Sequence, residues 1–129
     1  SGQLGIEALS RGASYGVFVD AAKDAAALTR ENLKRAKFTE NSTVLQTDSL
    51  SYLSSCREKF GLIFLDPPYA ETLLETALER IIAFDILSSG GIIVAERPEG
   101  KALPGEFAGY TRSRDYRYGT TLITIFRKQ

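Results

Sequence analysis

Gly61-Leu62-Ile63-Phe64-Leu65-Asp66-Pro67-Pro68-Tyr69 decides the reading of this chain. Its first five residues are a short apolar run that reads as a buried strand, and the run ends at an aspartate. Pro67 and Pro68 then remove two backbone donors and forbid continuation as helix or ladder, so the chain leaves the sheet in a stiff, extended turn. A carboxylate, free carbonyls and the Tyr69 ring are thereby set on a ledge at a strand's carboxyl end. In open α/β sheets that edge is where ligands bind. The ledge suits a flat group carrying an amine, with N–H bonds accepted by Asp66 and a carbonyl and the ring stacked on its face. A plain strand-ending loop is the alternative reading of the prolines.

Working outward, strand and helix patterns alternate, which predicts βα units and a mainly parallel sheet with helices on both faces. A helix is expected over about Leu4 to Arg11, with Gly12 as its left-handed cap. Gly16-Val17-Phe18-Val19 reads as a strand ending at Asp20. Ala22, Ala26, Thr29, Leu33 and Ala36 then recur as the buried stripe of an amphipathic helix. Thr43 to Gln46 is a second strand closed by Thr47-Asp48, and a short helix follows around Ser51 to Arg57. Beyond the Pro-Pro turn, Leu74, Leu78 and Ile81 mark a core-facing helix running to about Phe84. Gly90-Gly91 breaks the chain before the strand Ile92-Ile93-Val94-Ala95. Tyr110 to Tyr118 and Thr120 to Phe126 read as two strands joined near Gly119, an antiparallel pair. No repeat, linker or domain boundary is evident, so residues 1–129 are taken as one domain.

Ser1-Gly2-Gln3-Leu4-Gly5 looks like the second half of a glycine-rich strand-to-helix turn. Gly2 would let the backbone approach a ligand, Gly5 would let the helix pack closely on its strand, and the helix N-terminus would offer N–H groups. Asp20 ends the next strand at nearly the spacing where such folds place an acid on ribose hydroxyls; capping the following helix is the alternative. Asp48 either accepts from an adenine amino group or caps its own helix. With Asp66 these acids end successive strands at one edge, and an adenosine-type cofactor is the simplest joint explanation.

Composition limits the other possibilities. Apolar residues make up 43% and charged residues 25%, as in a folded globular chain of ordinary domain size. Lys+Arg and Asp+Glu both number 16, so no global positive field draws the chain to nucleic acid. With no histidine, Ser-His-Asp catalysis is excluded and a zinc site is not expected. The single cysteine, Cys56, has no histidine base and reads as structural, in keeping with a reducing, cytoplasmic setting. No membrane-spanning run or signal segment is seen. With no methionine present, Ser1 is expected to mark a processing or expression boundary. Arg112, Arg114 and Arg117, interleaved with Tyr110, Tyr116 and Tyr118, read as either RNA phosphate contacts or a solvated strand face that Asp115 interrupts. Arg97, just past a strand end, is a further candidate phosphate contact.

Together these residues resemble the class I S-adenosylmethionine-dependent methyltransferases that carry an Asp/Asn-Pro-Pro-Tyr motif. More narrowly, Gly5-Ile6-Glu7-Ala8-Leu9-Ser10-Arg11-Gly12-Ala13, Leu65-Asp66-Pro67-Pro68-Tyr69 and Tyr118-Gly119 are similar to the bacterial 16S ribosomal RNA guanine-N2 methyltransferases, small-subunit methyltransferase D. The resemblance covers essentially the whole chain. It implies a Rossmann-like seven-stranded sheet with the last strand antiparallel, S-adenosylmethionine as methyl donor, and no metal. It places Gly2 and Gly5 in the methionine-moiety loop, Asp20 at the ribose and Asp48 near the adenine. Asp66, Pro67 and Tyr69 fall at the acceptor base; Pro68 and Arg97, from their own places in the chain, are further candidate substrate contacts. The implied substrate is ribosomal RNA or a small-subunit assembly particle, acted on by a monomer. Relative to that pattern the first strand, the start of the glycine loop and an upstream basic segment are missing. DNA adenine-N6 or cytosine-N4 methylation uses the same motif chemistry, and a non-catalytic nucleotide-binding module would keep the fold.

Overall fold

The computed structural model describes residues 2–65, 71–98 and 107–129. They form two compact units, Ser1–Tyr52 and Leu53–Gln129, whose division falls inside one short helix. The run Asp66 to Tyr69 lies outside the described residues.

In the first unit the order is α1 (Gln3–Ser10), β1 (Gly16–Asp20), α2 (Lys23–Arg35), a 3₁₀ turn (Thr39–Asn41) and β2 (Ser42–Gln46), and α3 (Ser49–Ser55) begins there. β1 and β2 pair in parallel from Gly16 opposite Ser42 to Asp20 opposite Gln46. α2 buries the middle of the stripe read from the sequence, Ala26, Thr29 and Leu33, while Ala22 at its N-cap is exposed and Ala36 at its end half-buried. Thr29 can be buried because its hydroxyl donates to the Ala25 carbonyl at 2.9 Å. α1 stops where Gly12 takes a positive φ of 112°. There the Ala13 N–H reaches the Ala8 carbonyl and the Gly12 N–H the Leu9 carbonyl, a Schellman closure.

The second unit holds β3 (Phe60–Leu65), α4 (Glu71–Ala83), β4 (Leu87–Pro98), β5 (Tyr110–Arg112), β6 (Tyr116–Tyr118) and β7 (Thr121–Lys128). The strand order is β3-β4-β7-β5, with β6 also on β7. β3 and β4 run parallel, while β4, β5 and β6 each pair antiparallel with β7. The sheet is therefore mixed, with the expected antiparallel hairpin closing the chain. Leu74, Leu78 and Ile81 of α4, Ile93 and Ala95 of β4, and Phe126 of β7 are its buried core. Phe107 and Tyr110 meet the Phe126 ring edge-on at 5.3 and 5.8 Å. The Tyr110 hydroxyl donates to the Leu78 carbonyl at 2.8 Å, so the phenol is buried without losing a partner.

Three further details differ from expectation. β3, read as a buried strand, has no fully buried residue, and Leu62 is 38% exposed. β4 starts at Leu87, before Gly90-Gly91, and accommodates them by a register slip between the Phe60–Leu87 and Leu62–Ile92 pairs. The run Tyr110 to Tyr118 is not one strand. Arg112 faces Phe126 and Tyr116 faces Ile123, so four steps along one side match three along the other. The extra residue is a β-bulge over Ser113-Arg114-Asp115, pinned by the Ser113 N–H to the Ile125 carbonyl and the Ile125 N–H to the Ser113 hydroxyl.

Candidate functional site

In the first unit the helix opening is built on missing side chains. Gly2 has φ 74° and is the N-cap of α1, with its carbonyl accepting from Ile6 and no side chain capping the end. A Cβ at Gly5 would stand 2.5 Å from the Phe18 ring, and one at Gly2 2.9 Å from the Thr29 methyl. Glycine at these positions is what lets α1 press onto β1. The uncapped N-terminus leaves backbone N–H groups and the positive end of the helix dipole available.

Asp20 ends β1 and is exposed. It is not the helix cap: its Oδ1 accepts from the Ala22 N–H at 2.9 Å, an Asx turn, and Ala22 occupies the N-cap position. Among the described residues Oδ2 carries no hydrogen bond. Asp48 does cap α3. Its Oδ2 accepts from the Ser51 N–H at 2.9 Å and the Ser51 hydroxyl at 3.1 Å. Both bonds fall on one oxygen, so capping and acceptance of an outside N–H are compatible.

In the second unit, Leu65 pairs with Ala95 and β4 runs three residues further, to Pro98. The parallel strands thus finish at one edge, and Asp66, Pro67, Pro68 and Tyr69, outside the described residues, follow directly in the chain. Arg97 lies at this edge but does not meet the demands of an outward phosphate contact. It is 7% exposed, and its Nη2 donates to Asp115 Oδ2 at 2.6 Å. The chain's own carboxylate takes the place assigned to a phosphate.

Asp115 is the hub of this corner. Its Oδ1 accepts from Arg112 Nη2 at 3.0 Å and from the Thr124 hydroxyl at 2.6 Å. Burial alone would raise its carboxyl pKa; the Thr124 hydrogen bond and the two guanidiniums outweigh that and hold it below the usual carboxylate range. In the sequence Asp115 reads only as an acid that interrupts a basic strand face. The bulge instead turns it onto Arg97, eighteen residues away, and no local pattern signals that. Outside the cluster, the Arg114 guanidinium lies 4.9 Å over the Tyr116 ring, which is 43% exposed. Among the described residues no group of His, Cys, Asp and Glu is arranged to hold a metal. No described helix is long and apolar enough to cross a membrane.

Residues 1–127 match the family model described as conserved hypothetical protein 95. A Bacillus subtilis relative named "Putative rRNA methyltransferase YlbH" is 36% identical over the whole of this chain, which spans 72% of it. The Haemophilus influenzae ribosomal RNA small subunit methyltransferase D is 33% identical over 80% of the chain, which spans 55% of that protein. The solved Escherichia coli structure described as "Putative methyltransferase yhhF" superposes with a TM-score of 0.88 at 25% identity, covering all of this chain and 72% of its own. The fold is that of the class I methyltransferases.

Proposed function

Because the chain belongs to the conserved hypothetical protein 95 family, with the small-subunit rRNA methyltransferase D proteins among its relatives, we propose that it methylates ribosomal RNA, transferring a methyl group from S-adenosylmethionine to the N2 amine of a guanine in 16S rRNA. One observation carries the reading. The Asp66-Pro67-Pro68-Tyr69 run follows directly on β3, at the edge where β3 and β4 end in parallel. The relatives' names support methyl transfer to ribosomal RNA; the amine rests on the motif chemistry, and the guanine of 16S rRNA on the resemblance carried by the Glu7 to Gly12 segment.

The first unit's residues fit an adenosine-type cofactor. Asp20 has an open carboxylate oxygen for ribose hydroxyls, Asp48 an open oxygen for the adenine amine, and Gly2 and Gly5 bring an uncapped helix end close. S-adenosylmethionine, when bound, supplies an electrophilic methyl group. At the acceptor, Asp66 and the Pro67 carbonyl accept the two N–H bonds of the amine. That localises on nitrogen a lone pair otherwise delocalised into the ring. Asp66 stabilises the positive charge that develops there and takes the proton the methylated amine must lose. Tyr69 stacks on the base, which is unpaired or flipped out, and Pro68 stiffens the ledge. The substrate is free rRNA or a small-subunit assembly particle, and the working unit is a monomer.

The test is transfer of a radiolabelled methyl group to protein-free 16S rRNA, to small-subunit particles and to DNA, followed by identification of the modified nucleoside. N2-methylguanosine from RNA is expected; label in DNA alone would overturn the reading. Asp66→Ala is expected to abolish transfer while cofactor binding, followed by calorimetry, survives.

A further inference from the structure

The β6–β7 hairpin stands at the edge where β3 and β4 end. Pro98, the last residue of β4, faces Thr121, and Thr121 faces Tyr118. From β3 to β6 is three strand spacings, about 14 Å. A base held beside residue 66 would therefore have its near neighbours within reach of β6. What β6 presents there is not a plain strand face. The bulge draws the Asp115 carboxylate inward onto Arg97, Arg112 and Thr124. The same residue insertion leaves Arg114 on the outside, its guanidinium over the half-exposed Tyr116 ring, and Arg117 is exposed beside it. β5 and β6 are the outer edge of the described sheet, so nothing in the sheet covers this pair.

An exposed aromatic ring carrying a guanidinium, beside a second exposed arginine, is poorly explained as a solvated face and well suited to unpaired RNA. Bases stack on tyrosine and on guanidinium planes, and phosphates pair with arginine. We infer that Tyr116 and Arg114 form a stacking platform for an unpaired nucleotide flanking the methylated base, a substrate contact separate from the Asp66 ledge. This rests on the reading of the chain as an rRNA methyltransferase.

The chain has no tryptophan, so Tyr116→Trp installs a single reporter at the platform. Titration with single-stranded fragments of 16S rRNA is expected to quench its fluorescence, as a stacked base does. In steady-state transfer, Tyr116→Ala and Arg114→Ala are expected to raise KM for RNA about 5- to 50-fold. Their kcat and cofactor affinity should stay unchanged, and Tyr116→Phe should restore KM. If the unsubstituted chain methylates RNA while Tyr116→Ala keeps its KM and the fluorescence of Tyr116→Trp is unquenched, the platform is refuted and the enzyme reading stands. If the unsubstituted chain transfers no methyl group to RNA but does to DNA, the enzyme reading fails and the platform with it.

Discussion

Replacing Asp115 by Asn keeps the shape of the side chain and an oxygen for the Thr124 hydroxyl, and deletes the negative charge set against Arg97. The Arg97 side chain is 6% exposed, so its charge is then held in a poorly solvated place without that carboxylate. Removing one partner of a fully buried ion pair costs about 3–5 kcal/mol. Here the Asp115 side chain is 32% exposed, water screens one side of the pair, and Arg112 sits at the rim. The discounted loss is roughly 2–3 kcal/mol. At this chain length each kcal/mol moves Tm by roughly 3–5 °C, giving a drop of about 6–15 °C by calorimetry or urea melting. The pH dependence has a definite sign. The folded Asp115 pKa is lowered, so its contribution is fully present above the unfolded value near 4 and is lost as pH falls through the folded one. The stability gap between the unsubstituted chain and Asp115→Asn should be flat above about pH 5 and close below about pH 4. Arg97→Met supplies the control, since in that background Asp115→Asn should cost under about 1 kcal/mol. An equal cost in both backgrounds, or a gap that persists at low pH, would refute the charge argument.

Gly5→Ala puts a methyl group 2.5 Å from the Phe18 ring, and is expected to cost about 1–3 kcal/mol and to weaken S-adenosylmethionine binding by calorimetry. Asp20→Ala should lower cofactor affinity by about tenfold, the loss of one charge-assisted hydrogen bond, with melting shifted far less; equal affinity would remove Asp20 from the site. Lys37 sits at φ 67° where α2 ends, so Lys37→Gly should raise stability by up to about 1 kcal/mol in urea unfolding. Phe126, fully buried between Phe107 and Tyr110, should cost about 3–5 kcal/mol as Ala, to be read in the same assay.

The elements with a strong local period were legible. The Ala26, Thr29, Leu33 stripe and the Leu74, Leu78, Ile81 stripe are buried as the spacing requires, and Gly12 ends α1 as a glycine in that place should. Other helix ends were not. α2 and α4 close through Lys37 and Asp85 in left-handed backbone, each followed by Schellman hydrogen bonds. A lysine or aspartate gives no sign of that conformation in advance. Asp85 is held there by Lys59 and Lys128, contacts from distant parts of the chain. The bulge was hidden for the same reason. Tyr110 to Tyr118 alternates like one strand, and the break is fixed by the reach of Asp115 to Arg97, a pairing set by the sheet. Among the site residues, the close approach at Gly5 was readable because only the absence of a side chain permits it. Asp20 and Asp48 looked alike in sequence, each ending a strand before a helix. They part only in which N–H each carboxylate takes, one two residues on and the other three.

Formal charge illustrates the same limit with a functional consequence. Equal numbers of acids and bases were an argument against nucleic-acid binding. A phosphate, however, does not sum the whole chain: at physiological salt a charge is largely screened beyond about 8 Å. What matters is which charges face outward within that radius. Asp115 counts against Arg114 and Arg117 in the sequence, yet its carboxylate is engaged by Arg97 and Arg112. Those three groups together carry one positive charge. The bulge thus engages that acid internally and leaves Arg114 exposed on the β6 edge of a chain of zero net charge, beside the strand end from which Asp66 follows. Local charge of that kind confers little long-range steering, so RNA association should be slower than for a strongly basic protein and weakly salt dependent. Stacking on Tyr116, insensitive to salt, would then carry the larger share of the contact at that edge.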